Sequence, residues 1–167
     1  MGLDVSYYAS IKFVRKLRED EEYFDRDEAD MPDARHFTHV DFEKQADGLD
    51  GIYTVEGAAS FRVGSYSYYG FWRGQLANMI GEVASDIWER ARGGAEGPFY
   101  DLINFADNEG VIGPKTCDKL ARTFDEWRDR AQEYGNNKAE ERDFFATYEE
   151  FRTAFKAAAG HGCVDFH

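Results

Sequence analysis

The chain has 167 residues and a formal net charge of −13 at pH 7, with 33 aspartates and glutamates against 20 lysines and arginines. Hydrophobic residues make up 43% and aromatics 16%, too much for an intrinsically disordered polymer and enough, at this length, to bury one core. No run approaches the roughly 20 apolar residues that span a bilayer. The charge repels free DNA and RNA. Two cysteines, Cys117 and Cys163, are too few for a disulfide framework and suit a reducing cytosol.

The first segment, from Leu3 to Leu17, reads as strand, with Ile11, Phe13 and Val14 forming a second apolar patch. An acidic run follows from Glu19 to Asp33, containing Glu19, Asp20, Glu21, Glu22, Asp25 and Asp27. Such a segment repels itself and stays hydrated, so residues 19–35 are expected to form a long loop. His36 to Phe42 alternates apolar and polar residues and predicts a half-buried strand. On one strand, His36 and His39 would face opposite sides and could not converge.

Ala46 to Gly51 carries turn chemistry, and Ile52-Tyr53-Thr54-Val55 is β-branched and aromatic, hence a strand. Glu56-Gly57 reads as a turn into a further strand at Ser60 to Val63. Beyond this point the spacing is helical. Ser65 or Ser67 can cap a helix carrying Phe71, Trp72, Leu76, Met79 and Ile80, and a second helix through Val83, Ile87 and Trp88 ends at Gly93-Gly94. Pro98 suits the first turn of a short helix over Phe99 to Phe105. A loop from Asp107 to Gly113 precedes a long helix that starts at Pro114 and keeps Cys117, Leu120, Phe124, Trp127 and Ala131 on one face. Gly135-Asn136-Asn137 is expected to break the chain. A last helix carries Phe144, Phe145, Tyr148, Phe151 and Phe155, and the tail Cys163 to His167 can dock as a strand or plug. Strands leading and helices following make a single α+β domain over residues 1–167, a small antiparallel sheet with a helical C-terminal half.

Two segments stand out as candidate sites. Ser65 to Arg73 joins a strand to a helix, where binding residues often lie. Tyr66, Tyr68, Tyr69, Trp72 and Arg73 offer large contact area at low entropic cost, as in antibody paratopes, although the same aromatics can simply pack beneath the helix. Asp107, Asn108 and Glu109 before Gly110 form a candidate ligand loop that resembles a fragment of a calcium loop. A full loop needs about twelve residues and a closing bidentate glutamate, and Pro114 interrupts it. His36, His39, His161 and His167 lack the spacing of a zinc site, and Cys117 on an apolar helix face reads as inert core. No metal, cofactor or catalytic residue is therefore assigned.

Three blocks carry a resemblance: Gly2-Leu3-Asp4-Val5, Phe61 to Tyr66 with Trp72-Arg73, and Val164-Asp165-Phe166-His167. With Pro98-Phe99, Leu102 to Phe105 and Asp107 to Gly113, they resemble an uncharacterised group of proteins from phages, prophages and bacteria. The resemblance implies a genomic setting and carries over no catalytic residues. Phe105 to Gly110 with Cys117 and Leu120 is also similar, over a short segment, to the acidic loop of small toxin-immunity proteins, without the His-Ser that precedes it in that pattern.

These features lead to a non-enzymatic acidic binding or inhibitory protein, expected in the cytoplasm of a bacterial host. It would occlude the basic, nucleic-acid-handling surface of a partner protein such as a defence complex or a toxin. The acidic run would steer the encounter and the tyrosine-rich segment would anchor it. The partner would be a protein, not nucleic acid or membrane, and the oligomeric state stays open. Two alternatives belong to other classes: a small metal-dependent or hydrolytic enzyme using Asp107, Glu109, Asp165 and the histidines, and a structural or virion-associated protein.

Overall fold

The computed structural model describes residues 2–39, 41–138 and 143–167. The strands are β1 (Gly2–Arg15), β2 (Ala34–Phe37), β3 (Gly51–Ser65), β4 (Gly110–Ile112) and β5 (Cys163–Phe166). They form one antiparallel sheet in the order β2-β3-β1-β5-β4. The helices are α1 (Glu43–Ala46), α2 (Tyr66–Met79), α3 (Ala84–Arg92), α4 (Tyr100–Ile103), α5 (Pro114–Glu126), α6 (Arg128–Asn137) and α7 (Phe144–Ala158). The architecture is α+β, with the sheet mostly from the first half of the chain.

The long β1–β3 ladder is the frame. It runs from Gly2 opposite Ser65 to Arg15 opposite Ile52. The expected turn at Glu56-Gly57 does not exist: both residues lie inside β3. Gly57 has φ 64, and a Cβ there would come within 2.7 Å of the Ala9 Cβ. The glycine serves a close approach between neighbouring strands instead of a reversal. The strand expected over His36 to Phe42 stops at Phe37, where its partner β3 begins at Gly51. His39 and Asp41 lie beyond the strand, and Val40 lies outside the described residues. The loop expected from Asp107 to Gly113 contains β4, which pairs with the C-terminal tail; that tail inserts between β1 and β4 as β5.

Alternation along the central strands separates two apolar clusters. Leu3, Val5, Val63, Val164, Phe166 and Ile112 face the helices and join the main core. Its centre is aromatic: Trp72 stacks on Phe151 at 4.9 Å, Phe124 lies 4.6 Å from Tyr148, and Phe151 meets Phe61 edge-on at 5.1 Å. The polar ends of these rings are satisfied, with Trp72 Nε1 donating to the Phe144 carbonyl at 3.1 Å and the Tyr148 hydroxyl to the Phe124 carbonyl at 2.7 Å. On the opposite face, Tyr8, Cys163 and Val111 pack with Phe37, Tyr53 and Val55 beneath Ala46 and Leu49.

The helix boundaries follow local chemistry. Ser65 Oγ accepts the Tyr68 N–H at 3.1 Å and caps α2. The α5 N-terminus, opened by Pro114, is capped by a remote residue: Asp47 accepts the Thr116 N–H at 2.9 Å and its hydroxyl at 3.1 Å. The long helix expected through Ala131 is interrupted at Trp127, and α6 then continues through Gly135 to Asn137, where a break was expected. A Cβ at Gly135 would stand 3.1 Å from the Phe145 Cβ, so this glycine lets α7 approach. The short helix expected over Phe99 to Phe105 is four residues long, entered through Phe99 at φ 61. Among the described residues no helix is long and apolar enough to cross a membrane.

Candidate functional site

The acidic connection between β1 and β2 is a shaped projection, built from its own charges. Arg15, the last residue of β1, donates from Nη1 and Nη2 to the two Glu21 oxygens at 2.7 Å each. The Arg18 N–H adds a third bond to Glu21 at 2.7 Å. These donors hold the Glu21 carboxyl down near about 2, with the Arg15 hydrogen bonds the largest cause. Arg15 also lies over the Phe24 ring at 5.9 Å. Farther on, Asp25 accepts the N–H groups of Asp27 and Glu28 at 2.9 and 3.1 Å, an Asx turn. Glu21 is thus an internal latch, half-buried among its donors. Glu19, Asp20, Glu22, Asp25 and Asp27 remain exposed.

The apolar surface beside these acids was not legible as such. Tyr23 is 71% exposed within the loop, and Phe13 (52%) and Val14 (40%) are exposed at the end of β1 from which the loop departs. Phe13 keeps one edge on Tyr53 at 5.4 Å. Exposed aromatic side chains are enriched at protein interfaces, and Phe13 and Tyr23 lie close in sequence to the acidic residues.

Three of the five residues expected as anchors in the serine-tyrosine segment, Tyr69, Trp72 and Arg73, are buried. Tyr69 and Trp72 are fully buried and Arg73 nearly so. They occupy the inward stripe of α2 with Leu76, and no partner can reach them while the helix is packed. Tyr66 and Tyr68 are half-buried against the main core, and the Tyr68 hydroxyl lies 3.0 Å from Thr147 Oγ1. Packing, the alternative use of these aromatics, accounts for Tyr69 and Trp72.

The 107–109 loop divides between two clefts. Asp107 is taken by Arg73, which donates to its carboxylate and also to the Phe105 carbonyl at 2.6 Å. Glu109 and Asn108 line a cavity of about 440 Å³, bounded also by His36, His39, Asp41, Asp165 and His167. The strand ends at Phe37, so the chain turns and brings His36 and His39 to the same cavity, against the expectation that they diverge. His167 is fixed by a 2.8 Å contact between its Nε2 and Ser6 Oγ. His161 lies elsewhere, with its carbonyl accepting the Ile11 N–H at 2.9 Å. Among the described residues no three histidine, cysteine or acidic side chains come together as a metal site.

Asp165 is the group whose ionisation the fold perturbs most within this cavity. It sits in β5 between Ser6 and Val111. Burial pushes its carboxyl up to about 7, partly offset by the Arg35 guanidinium. Cys117 and Cys163 are buried, and burial raises both thiols well above their ordinary range, so neither is a poised nucleophile.

Comparison with known proteins finds no matching family model, no matching curated protein and no matching solved structure.

Proposed function

We propose that the protein is a non-enzymatic binding protein that occludes a basic surface of a partner protein. The observation that carries this reading is the projection after β1: exposed carboxylates at Glu19, Asp20, Glu22, Asp25 and Asp27, held in shape by the Arg15–Glu21 pair, beside exposed Tyr23, Phe13 and Val14. The carboxylates present charge of the kind that a nucleic-acid-binding groove attracts, and the aromatic side chains supply contact area once the surfaces meet. The anchoring role given to the α2 tyrosines passes to these residues. In this reading the partner is a nucleic-acid-handling protein, such as a defence complex or a toxin. The setting is phage- or prophage-linked and lies in the host cytosol.

The test is affinity capture from a bacterial host lysate after nuclease treatment, run in parallel with the native chain and a variant carrying Glu19→Gln, Asp20→Asn, Glu22→Gln, Asp25→Asn and Asp27→Asn. A basic protein retained by the native chain, released by salt and lost from the variant, is the expected result. Equal retention by both chains removes the acidic projection from the function.

A further inference from the structure

We propose that the cleft between α1, α3 and the loop after α4 binds a mononucleotide, with the base stacked on Trp88 and the phosphate held by Arg92. The cleft has a volume of about 670 Å³, within the ~300–1,000 Å³ of small-molecule sites. It shares no residue with the acidic projection.

Gln45 supplies the strongest argument. It is 6% exposed and lines the cleft. Its backbone is fixed, with the Gly113 N–H donating to its carbonyl at 2.8 Å. Its side-chain amide, however, makes no hydrogen bond among the described residues. Buried polar groups are almost always paired, and a ligand in the cleft would supply the missing partners. An amide offers one donor and one acceptor side by side, the pattern that adenine answers with its N7 and its amino group. Asn104, at the end of α4, brings a second side-chain amide that has no hydrogen bond among the described residues.

Trp88 is the platform. Its Nε1 donates to the Ile103 carbonyl at 2.9 Å, which fixes the indole, while the residue stays 41% exposed. A fixed, exposed ring is a stacking surface for a base. Arg92 lies one turn farther along α3, on the same face. It is exposed and makes no ion pair or hydrogen bond among the described residues, so its guanidinium is available to a phosphate. Two carboxylates also line the cleft: Asp107 is neutralised by Arg73, and Asp41 is exposed to water.

The experiment is a titration of isotopically labelled protein at about pH 7.5, where a phosphate monoester is almost doubly charged. It is followed by NMR through the Trp88 indole N–H and the Gln45 side-chain amide. AMP is expected to shift both signals. Adenosine, which lacks the phosphate, should bind about tenfold or more weakly, and ribose phosphate, which lacks the base, should shift neither signal. Gln45→Leu removes an amide that the fold does not use, so it should fold and bind AMP about tenfold more weakly. Arg92→Gln should reduce AMP to the affinity of adenosine. A short oligoadenylate should bind more weakly than AMP, because the −13 charge of the chain repels a polyanion. The proposal would be overturned by silent signals up to about 10 mM AMP, a concentration that would fill even a millimolar site. It would also be overturned by equal binding of adenosine or ribose phosphate, by undiminished AMP binding in Gln45→Leu or Arg92→Gln, or by tighter binding of the oligoadenylate.

Discussion

Arg73 and Asp107 join the core to the surface. The Arg73 side chain is 4% exposed, the Asp107 side chain 66% exposed, and the arginine donates to the carboxylate across that boundary. Arg73 also donates to the Ile103 and Phe105 carbonyls and lies 4.4 Å from the Tyr69 ring centre. One guanidinium therefore ties α2 to the end of α4 and orders the loop that leads into β4. Asp107 neutralises that arginine, so this one carboxylate of the loop is committed to the fold.

Removing either end of this pair should have unequal effects. Asp107→Asn leaves Arg73 its carbonyl partners and a neutral oxygen acceptor, and should cost about 1.5–3 kcal/mol, the range of one hydrogen bond to a charged group. Arg73→Ala strands two buried carbonyls and opens a cavity, and should cost about 3–5 kcal/mol. Urea denaturation of the two variants checks the order; equal losses would mean that the carboxylate, not the carbonyl network, is the main partner.

The two sets of aromatic residues should respond in opposite ways. Trp72→Ala and Phe151→Ala remove stacked core rings and should each cost about 3–5 kcal/mol. Tyr23→Ser, exposed in the loop, should stay within about 0.5 kcal/mol of the native stability. If the projection is the interface, Tyr23→Ser raises the partner's off-rate while leaving the melting temperature unchanged, a combination that a packing role does not produce.

Stability should depend on pH through Asp165. Below about pH 4 the carboxyl is protonated in both the folded and unfolded chain. Between about 4 and 7 only the folded protein keeps the proton, because burial has raised its value from 3.8 to about 7. The unfolded chain binds fewer protons there, so stability from this group falls as the pH rises through that window, by at most about 4 kcal/mol. Tyr8, Cys163, Arg35 and the histidines around the cavity face or surround the same group. Asp165→Asn should flatten the decline between pH 5 and 8, as read by thermal melts. An unchanged slope would place the titration elsewhere.

Both thiols should be silent in the native state. Cys117 Sγ lies 3.4 Å from the Ile112 carbonyl and Cys163 is wholly buried. A thiol reagent at about pH 8 should modify neither until the chain opens, and both after denaturation. Modification faster than unfolding would contradict their place in the core.

The strand and helix content was readable because alternation in β1 and helical spacing in α2, α5 and α7 are strong local signals. Gly57 and Gly135 misled for one reason: a glycine that admits a neighbouring element carries the same letter as one that turns the chain. The fate of Ser65 to Arg73 was partly visible, since Tyr69, Trp72, Arg73 and Leu76 have the i, i+3, i+4, i+7 spacing of a buried stripe. The cavity was not, because it gathers residues from 36 to 167 through β5 inserting between β1 and β4. Nor could the chain announce that Phe13 and Tyr23 stay outside, which depends on what the rest of the fold leaves uncovered.

Capture of a basic partner by the acidic projection shows first in one rate. The association rate constant of the captured partner should be measured at low and high salt for the native chain and for the five-amide variant that spares Glu21. At low salt the variant should associate about tenfold or more slowly, with dissociation little changed and the two chains converging at high salt. Equal association rates at low salt would contradict the account.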